Sequence, residues 1–127
     1  MIEIEQIHHV SLAVRDLSRA KEFYSGVLQF SEIERPPFGS RGIWYAIGDR
    51  QLHLSENSEA ETLRASGIDD REGHFAIWVK SYRSTIDWLQ KQGIAYKTKP
   101  DSIAGFSQIW IIDPDHNVIE FDAEFNS

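Results

Sequence analysis

Three histidines and one glutamate stand out in this chain, because each opens or occupies a short run of alternating apolar residues. Residues 8–14 read HHVSLAV and residues 73–79 read GHFAIWV. Successive strand side chains point to opposite faces, so each run divides into two sets. His9, Ser11 and Ala13 share one face of the first run, and His74, Ala76 and Trp78 share the matching face of the second. Two later runs behave alike. In one, Gln51, His53 and Ser55 stand opposite Leu52 and Leu54; in the other, Val118, Glu120 and Asp122 stand opposite Ile119, Phe121 and Ala123. His9, His53, His74 and Glu120 therefore all lie opposite an apolar face that can take helices. Leaving imidazoles and a carboxylate unpaired inside a sheet is costly. A divalent metal would satisfy all four, which makes them candidate ligands, with Glu120 and His53 also able to move protons.

The elements that must position them come as a repeat. Setting His9 on His74 pairs Val10 with Phe75, Leu12 with Ile77 and Val14 with Val79. A helix is predicted after each run. Asp16 or Ser18 can cap the first, with Leu17, Ala20, Phe23 and Tyr24 on one face and Gly26 near its end. Ser81 can cap the second, with Tyr82, Thr85, Ile86 and Leu89 on one face and Gly93 as terminator. Three more strands are predicted in each half, at Gln29–Glu34, Gly42–Ile47 and Gln51–Ser55, then at Ala95–Lys99, Phe106–Ile112 and Asn117–Ala123. From Gly26 to His53 and from Gly93 to Glu120 the spacing is the same, so the repeat puts His53 level with Glu120.

The expected fold is thus α+β: two repeated βαβββ modules forming a curved, partly open eight-stranded sheet around a metal or ligand cleft. Residues 1–127 make a single domain, with an N-terminal module over 1–55, a connector over 56–72 carrying one helical turn around residues 61–65, and a C-terminal module over 73–127. Curling the sheet about a pseudo-two-fold axis would bring the four candidate ligands together.

Composition narrows the functional classes. The chain has 127 residues, 41% hydrophobic and 26% charged, in the ordinary globular range. Its net charge of −7 argues against a nucleic-acid surface. No apolar run is long enough to span a membrane, and the acidic start MIEIEQI is unlike a signal peptide. The absence of cysteine excludes disulfides and thiolate chemistry and suits the cytoplasm. By strand parity His8 points away from His9 and reads as structural. His116 sits in the turn DPDHN and reads as exposed rather than functional. Trp44, Trp78, Trp88 and Trp110 read as core, Trp78 being the best pocket candidate. The loops 35–42 and 100–105 are candidate lids.

The segments IHHVSLAVRDLSRAKEFYSGVLQF, QLHL, GHFAIWV and DPDHNVIEF resemble the vicinal oxygen chelate superfamily, which includes lactoylglutathione lyase, methylmalonyl-CoA epimerase, extradiol dioxygenases, fosfomycin-resistance enzymes and bleomycin-binding proteins. The resemblance implies metal ligands at His9, His53, His74 and Glu120, and a substrate pocket that takes in Ser11 and Trp78. It implies one divalent ion per chain (Zn, Ni, Mn or Fe), no organic cofactor, a small-molecule substrate and a homodimer. The modules could pair within a chain or across that dimer. The expected function is a glyoxalase-like lyase or isomerase, in which the metal stabilises an enediolate-like anion on an oxygen-chelating substrate. The alternatives are a single-domain extradiol dioxygenase using His9, His74 and Glu120, and a non-catalytic binding protein of the antibiotic-resistance type. The chain departs from its relatives at His53, where bacterial lactoylglutathione lyases carry Glu and the epimerases Gln. After Glu120 it also lacks the phosphonate-binding Arg of the fosfomycin enzymes.

Overall fold

A computed structural model describes residues 1–61, 67–71 and 73–127. The helical turn expected over 61–65 falls outside the described residues, Glu61 apart. The chain divides into two units, residues 1–61 and 62–127.

In the first unit the elements are β1 (His9–Val14), α1 (Leu17–Lys21) running on as a π-helical turn (Glu22–Val27), β2 (Ser31–Ile33), β3 (Gly42–Ile47) and β4 (Arg50–Glu56). The sheet order is β1-β4-β3-β2, with β1 parallel to β4 and the other pairs antiparallel. Asp16 caps the helix as expected, accepting from the Arg19 backbone N–H at 3.1 Å. Leu17, Ala20, Phe23 and Tyr24 are buried, as are Val14, Tyr45, Leu52 and Leu54 on the sheet. The Tyr24 ring lies 6.0 Å from that of Tyr45, whose hydroxyl meets Ser25 Oγ at 2.8 Å. The opposite sheet face, with His9, Ser11 and Ala13, is exposed on β1.

The second unit repeats the plan: β5 (His74–Trp78), α2 (Tyr82–Lys91), β6 (Lys97–Lys99), β7 (Ser107–Ile112) and β8 (Val118–Ala123), in the order β5-β8-β7-β6. Ser81 caps α2 through the Ser84 backbone N–H, and Ile86 and Leu89 are buried. Along β8 every residue is buried. The eight expected strands are all present, four to a sheet, and β1 and β5 are each a sheet edge.

The helices end differently from each other. Gly93 takes the left-handed turn after α2 at φ 69, and Ile94 N–H bonds back to Leu89 C=O. In the first unit Gln29, at φ 58, fills that role, and Gly26 lies inside the π turn. From Asp16 to Gln29 is 13 positions, and from Ser81 to Gly93 is 12. A π turn absorbs one extra residue into a helix, and the bond from Leu28 N–H to Phe23 C=O shows it doing so. Because the cap uses Gln29, β2 starts later than the sequence pattern suggests.

Strand register carries the repeat into the site. His53 lies opposite Ser11 on one side and Trp44 on the other. Glu120 lies opposite Ala76 and Trp110. Ser11 and Ala76 each stand two residues after the histidine that opens their strand, so His53 and Glu120 are structural equivalents. No helix among the described residues is long and apolar enough to cross a membrane.

Candidate functional site

In the first unit the site residues form a stack of rings. The Trp44 indole lies flat on the His53 imidazole, 3.9 Å between centroids and 3° between planes. His53 in turn stacks on His9 at 4.1 Å and 18°. His53 Nε2 lies 2.8 Å from Gln51 Oε1, and because a carbonyl oxygen only accepts, Nε2 carries the hydrogen and Nδ1 the lone pair. Burial, then the neighbouring His9, His8 and Arg35, lower the pKa of His53 and favour its neutral form. His8 does not turn away from His9: their Nδ1 atoms are 2.9 Å apart and their rings meet edge-on.

This stack bears on the expectation that His9 and His53 share one ion. An imidazole binds metal in its own plane at ~2.1 Å. Where two rings lie nearly parallel, an ion in the plane of one stands roughly 3.5–4 Å from the plane of the other, too far to bond. As placed, His9 or His53 can ligate a given ion, but not both.

The second unit places its pair differently. His74 Nε2 lies 3.0 Å from Glu120 Oε1. Two donors ~2.1 Å from an ion at a right angle are themselves about 3 Å apart, so this spacing fits neighbouring ligands as well as a hydrogen bond. Trp110 donates its indole N–H to Glu120 Oε1 at 2.6 Å, and Gln108 donates to Oε2 at 3.2 Å. Glu120 is buried. Burial acts to raise its pKa, but the side chains of Asp122, Gln108 and Trp110 and the His74 charge hold it below the ordinary value. Asp122, also buried, has an Oδ1 with no hydrogen-bond partner. Burial first, then Glu120 beside it, pushes the Asp122 carboxyl up to about 7.

Within each unit by itself, and among the described residues, no three His, Asp or Glu side chains form a group that could hold a metal. The second unit offers an imidazole–carboxylate pair, a combination that suits divalent ions such as Zn, Mn, Fe or Ni. Ser11 is exposed on the His9 face, and Trp78 is 58% exposed on the His74 face, its ring edge against Phe106 at 5.6 Å. The loop before β3 is closed on itself, with Arg35 bonded twice to Ser40 and lying over Phe38. His116 has φ 65 and belongs to a turn organised by Asp113, which accepts from Asp115 and Asn117. Sequence reasoning put Gln51 and Asp122 on the site face without a role, read Trp44 and Trp110 as core, and did not single out Gln108. The two tryptophans are the cross-strand neighbours of His53 and Glu120, a relation that follows once each hairpin turn is placed.

The sequence profile of the Glyoxalase/Bleomycin resistance protein/Dioxygenase superfamily matches residues 6–121. Comparison with curated proteins gives no match. Among solved structures, a glyoxalase-family protein from Bacillus anthracis is similar at 23% identity, with 98% of each chain covered and a TM-score of 0.79. A variant of the fosfomycin resistance protein FosX from Listeria monocytogenes, complexed with Mn(II) and 1S,2S-dihydroxypropylphosphonic acid, is similar at 18% identity over 98% of this chain and 95% of that one, TM-score 0.77. A glyoxalase/dioxygenase from Nostoc punctiforme matches at 17% identity over 94% and 90%, TM-score 0.76. At these identities the likeness is one of fold.

Proposed function

The chain belongs to the glyoxalase/bleomycin resistance protein/dioxygenase superfamily, and on that premise we propose that it is a divalent-metal-dependent enzyme of the lyase or isomerase type. Its substrate would be a small molecule that chelates through two oxygens. His9, His74 and Glu120 would hold the ion (Zn, Ni, Mn or Fe), whichever copy of the chain supplies each unit. The reading is carried by the His74–Glu120 pair, 3.0 Å apart and buttressed by Trp110, with a histidine-bearing counterpart at the same register in the first unit. β1 and β5 are each the edge strand of their own sheet, which supports a homodimer that pairs modules.

When bound, the ion supplies a Lewis acid to the paired oxygens of the substrate. Trp110 and Gln108 orient the Glu120 carboxylate, spending one hydrogen bond on each oxygen. His53 takes the proton-moving role, since Gln51 occupies Nε2 and leaves the Nδ1 lone pair to accept a proton. The Trp44 and His9 rings hold it flat while it does so. Ser11 and Trp78 offer a hydroxyl and an indole to the substrate.

A second reading, an extradiol-type dioxygenase, is favoured by one observation: with His53 stacked on His9, three protein ligands remain, leaving room for a chelating catechol and dioxygen together. One set of experiments separates the two. Apo-protein is loaded with Zn²⁺, Ni²⁺, Mn²⁺ or Fe²⁺, assayed for bound metal, and offered hemithioacetals and catechols in an oxygen electrode. Hemithioacetal turnover with Zn²⁺ or Ni²⁺ is expected. Oxygen uptake with catechol, confined to Fe²⁺ or Mn²⁺, would move the chain to the second reading, and failure to retain any of the four ions would overturn both.

A further inference from the structure

We infer that His8 is a positioning residue that selects which nitrogen of His9 faces the metal. The inference rests on the reading of His9 as a ligand. A metal-binding imidazole must present a lone pair, and its other nitrogen usually donates to a neighbour that fixes the ring. In this chain the His9 ring is held from two directions. His53 stacks on its face, which sets the ring plane. Stacking alone cannot set the rotation within that plane, because a half-turn of the ring exchanges a nitrogen for a carbon and leaves the stacking surface unchanged. The contact at 2.9 Å between His8 Nδ1 and His9 Nδ1 removes that ambiguity. His8 is itself anchored, since its backbone carbonyl accepts from the Gln51 N–H on β4 at 3.2 Å.

One hydrogen lies in this contact, and the two rings are chemically alike, so the contact by itself does not name its owner. Because the contact occupies His9 Nδ1, Nε2 is the nitrogen left to face the metal. An imidazole that ligates through Nε2 carries its hydrogen on Nδ1, so His9 donates and the bare Nδ1 of His8 accepts. His8 thus holds His9 in the tautomer that a ligand needs at Nε2.

The test uses His8→Phe, which keeps a ring and removes both nitrogens, and His8→Asn, whose Oδ1 can accept where Nδ1 did. The first readout is the two-bond ¹H–¹⁵N spectrum of the metal-free protein, with the His9 signals assigned by their loss in His9→Gln. Wild type should show His9 protonated on Nδ1. His8→Phe should return it to a population dominated by Nε2–H, and His8→Asn should restore the wild-type pattern. The second readout is Zn²⁺ affinity, which should fall roughly 10- to 100-fold in His8→Phe and recover in His8→Asn. A wild-type His9 protonated on Nε2, or a tautomer and affinity indifferent to His8→Phe, overturns the inference. If the wild type binds no Zn²⁺, the proposed function fails instead, and the metal-free spectrum still decides whether His8 sets the tautomer.

Discussion

Replacing Trp110 with Phe tests whether the tryptophan holds Glu120 in place or merely fills the core. Trp110 is 2% exposed, and its indole N–H reaches Glu120 Oε1 at 2.6 Å, the short distance of a bond to a charged acceptor. Two losses are expected. The smaller ring leaves a gap and forgoes buried apolar area, on the order of 1–2 kcal/mol. The carboxylate loses a charge-assisted hydrogen bond worth about 1.5–3 kcal/mol. Together they come to roughly 2.5–5 kcal/mol, a large share of an ordinary domain's stability. A double-mutant cycle with Glu120→Met separates the two, because the methionine keeps an unbranched side chain and removes the acceptor. In that background Trp110→Phe should cost only the packing share. The measurement is urea unfolding of the metal-free proteins at a pH above the ordinary Glu value and below the Asp122 value of about 7. Glu120 has a folded pKa below its ordinary value, so its stabilisation is complete above that ordinary value and is lost as pH falls through the lowered one. In that window Glu120 is charged while Asp122 keeps its proton, so the full coupling is read. A coupling below about 0.5 kcal/mol would refute the account and reduce Trp110 to a packing residue.

Asp113→Ala should cost roughly 3 kcal/mol, since it removes three hydrogen bonds in the turn between β7 and β8 at about 1 kcal/mol each; thermal unfolding measures it. Asp70 is held below the usual carboxylate range by Lys99 and then Lys97, so its contribution is complete above the unfolded value and lost as pH falls through the folded one. Asp70→Asn should accordingly remove part of the acid-limb loss seen in pH titration of stability, and added salt should mimic it. His53→Glu should fold and keep metal binding, because Trp44 stands cross-strand from it as Trp110 stands from Glu120 and can offer its indole N–H. A loss of stability that metal does not rescue would count against that equivalence.

Much of the fold could be read from alternation and turn residues. β3, β7 and β8 lie within a residue of their predicted bounds, because Gly48-Asp49 and Asp113–Asn117 fix where the chain reverses. His116 takes a positive φ in the second of these turns. What sequence could not supply was the end of the first helix. Gly26 looked like its terminator, yet the π turn carries the helix past it to Gln29, a polar residue that accepts the left-handed conformation at some cost. The positions of His9, His53, His74 and Glu120 on their strands were legible from parity, since the apolar residues between them must face the helices. Their neighbours were not. Parity placed His8 on the other face from His9, but His8 precedes β1, and ahead of the first paired residue the pleat no longer dictates side-chain direction. Trp44 and Trp110 passed for core because a buried aromatic needs no other explanation. Only register shows that each stands beside the polar residue it supports.

The duplicated module thus uses one geometry for two electrostatic purposes. At each register position a tryptophan on the third strand meets the candidate site residue on the fourth. Where that residue is His53 the indole lies flat against it, which is the contact open to two uncharged aromatic rings. Where it is Glu120 the indole presents its edge and N–H, which is what a buried carboxylate requires. The flat contact leaves His53 nitrogens free of the tryptophan and so able to exchange a proton; the edge contact ties down a carboxylate oxygen and favours the charged form. A single substitution between His and Glu at the fourth strand therefore exchanges a stacked imidazole for a hydrogen-bonded carboxylate within the same βαβββ plan. Duplication followed by divergence at that one position is sufficient to give the two units their different polar centres from the same βαβββ plan.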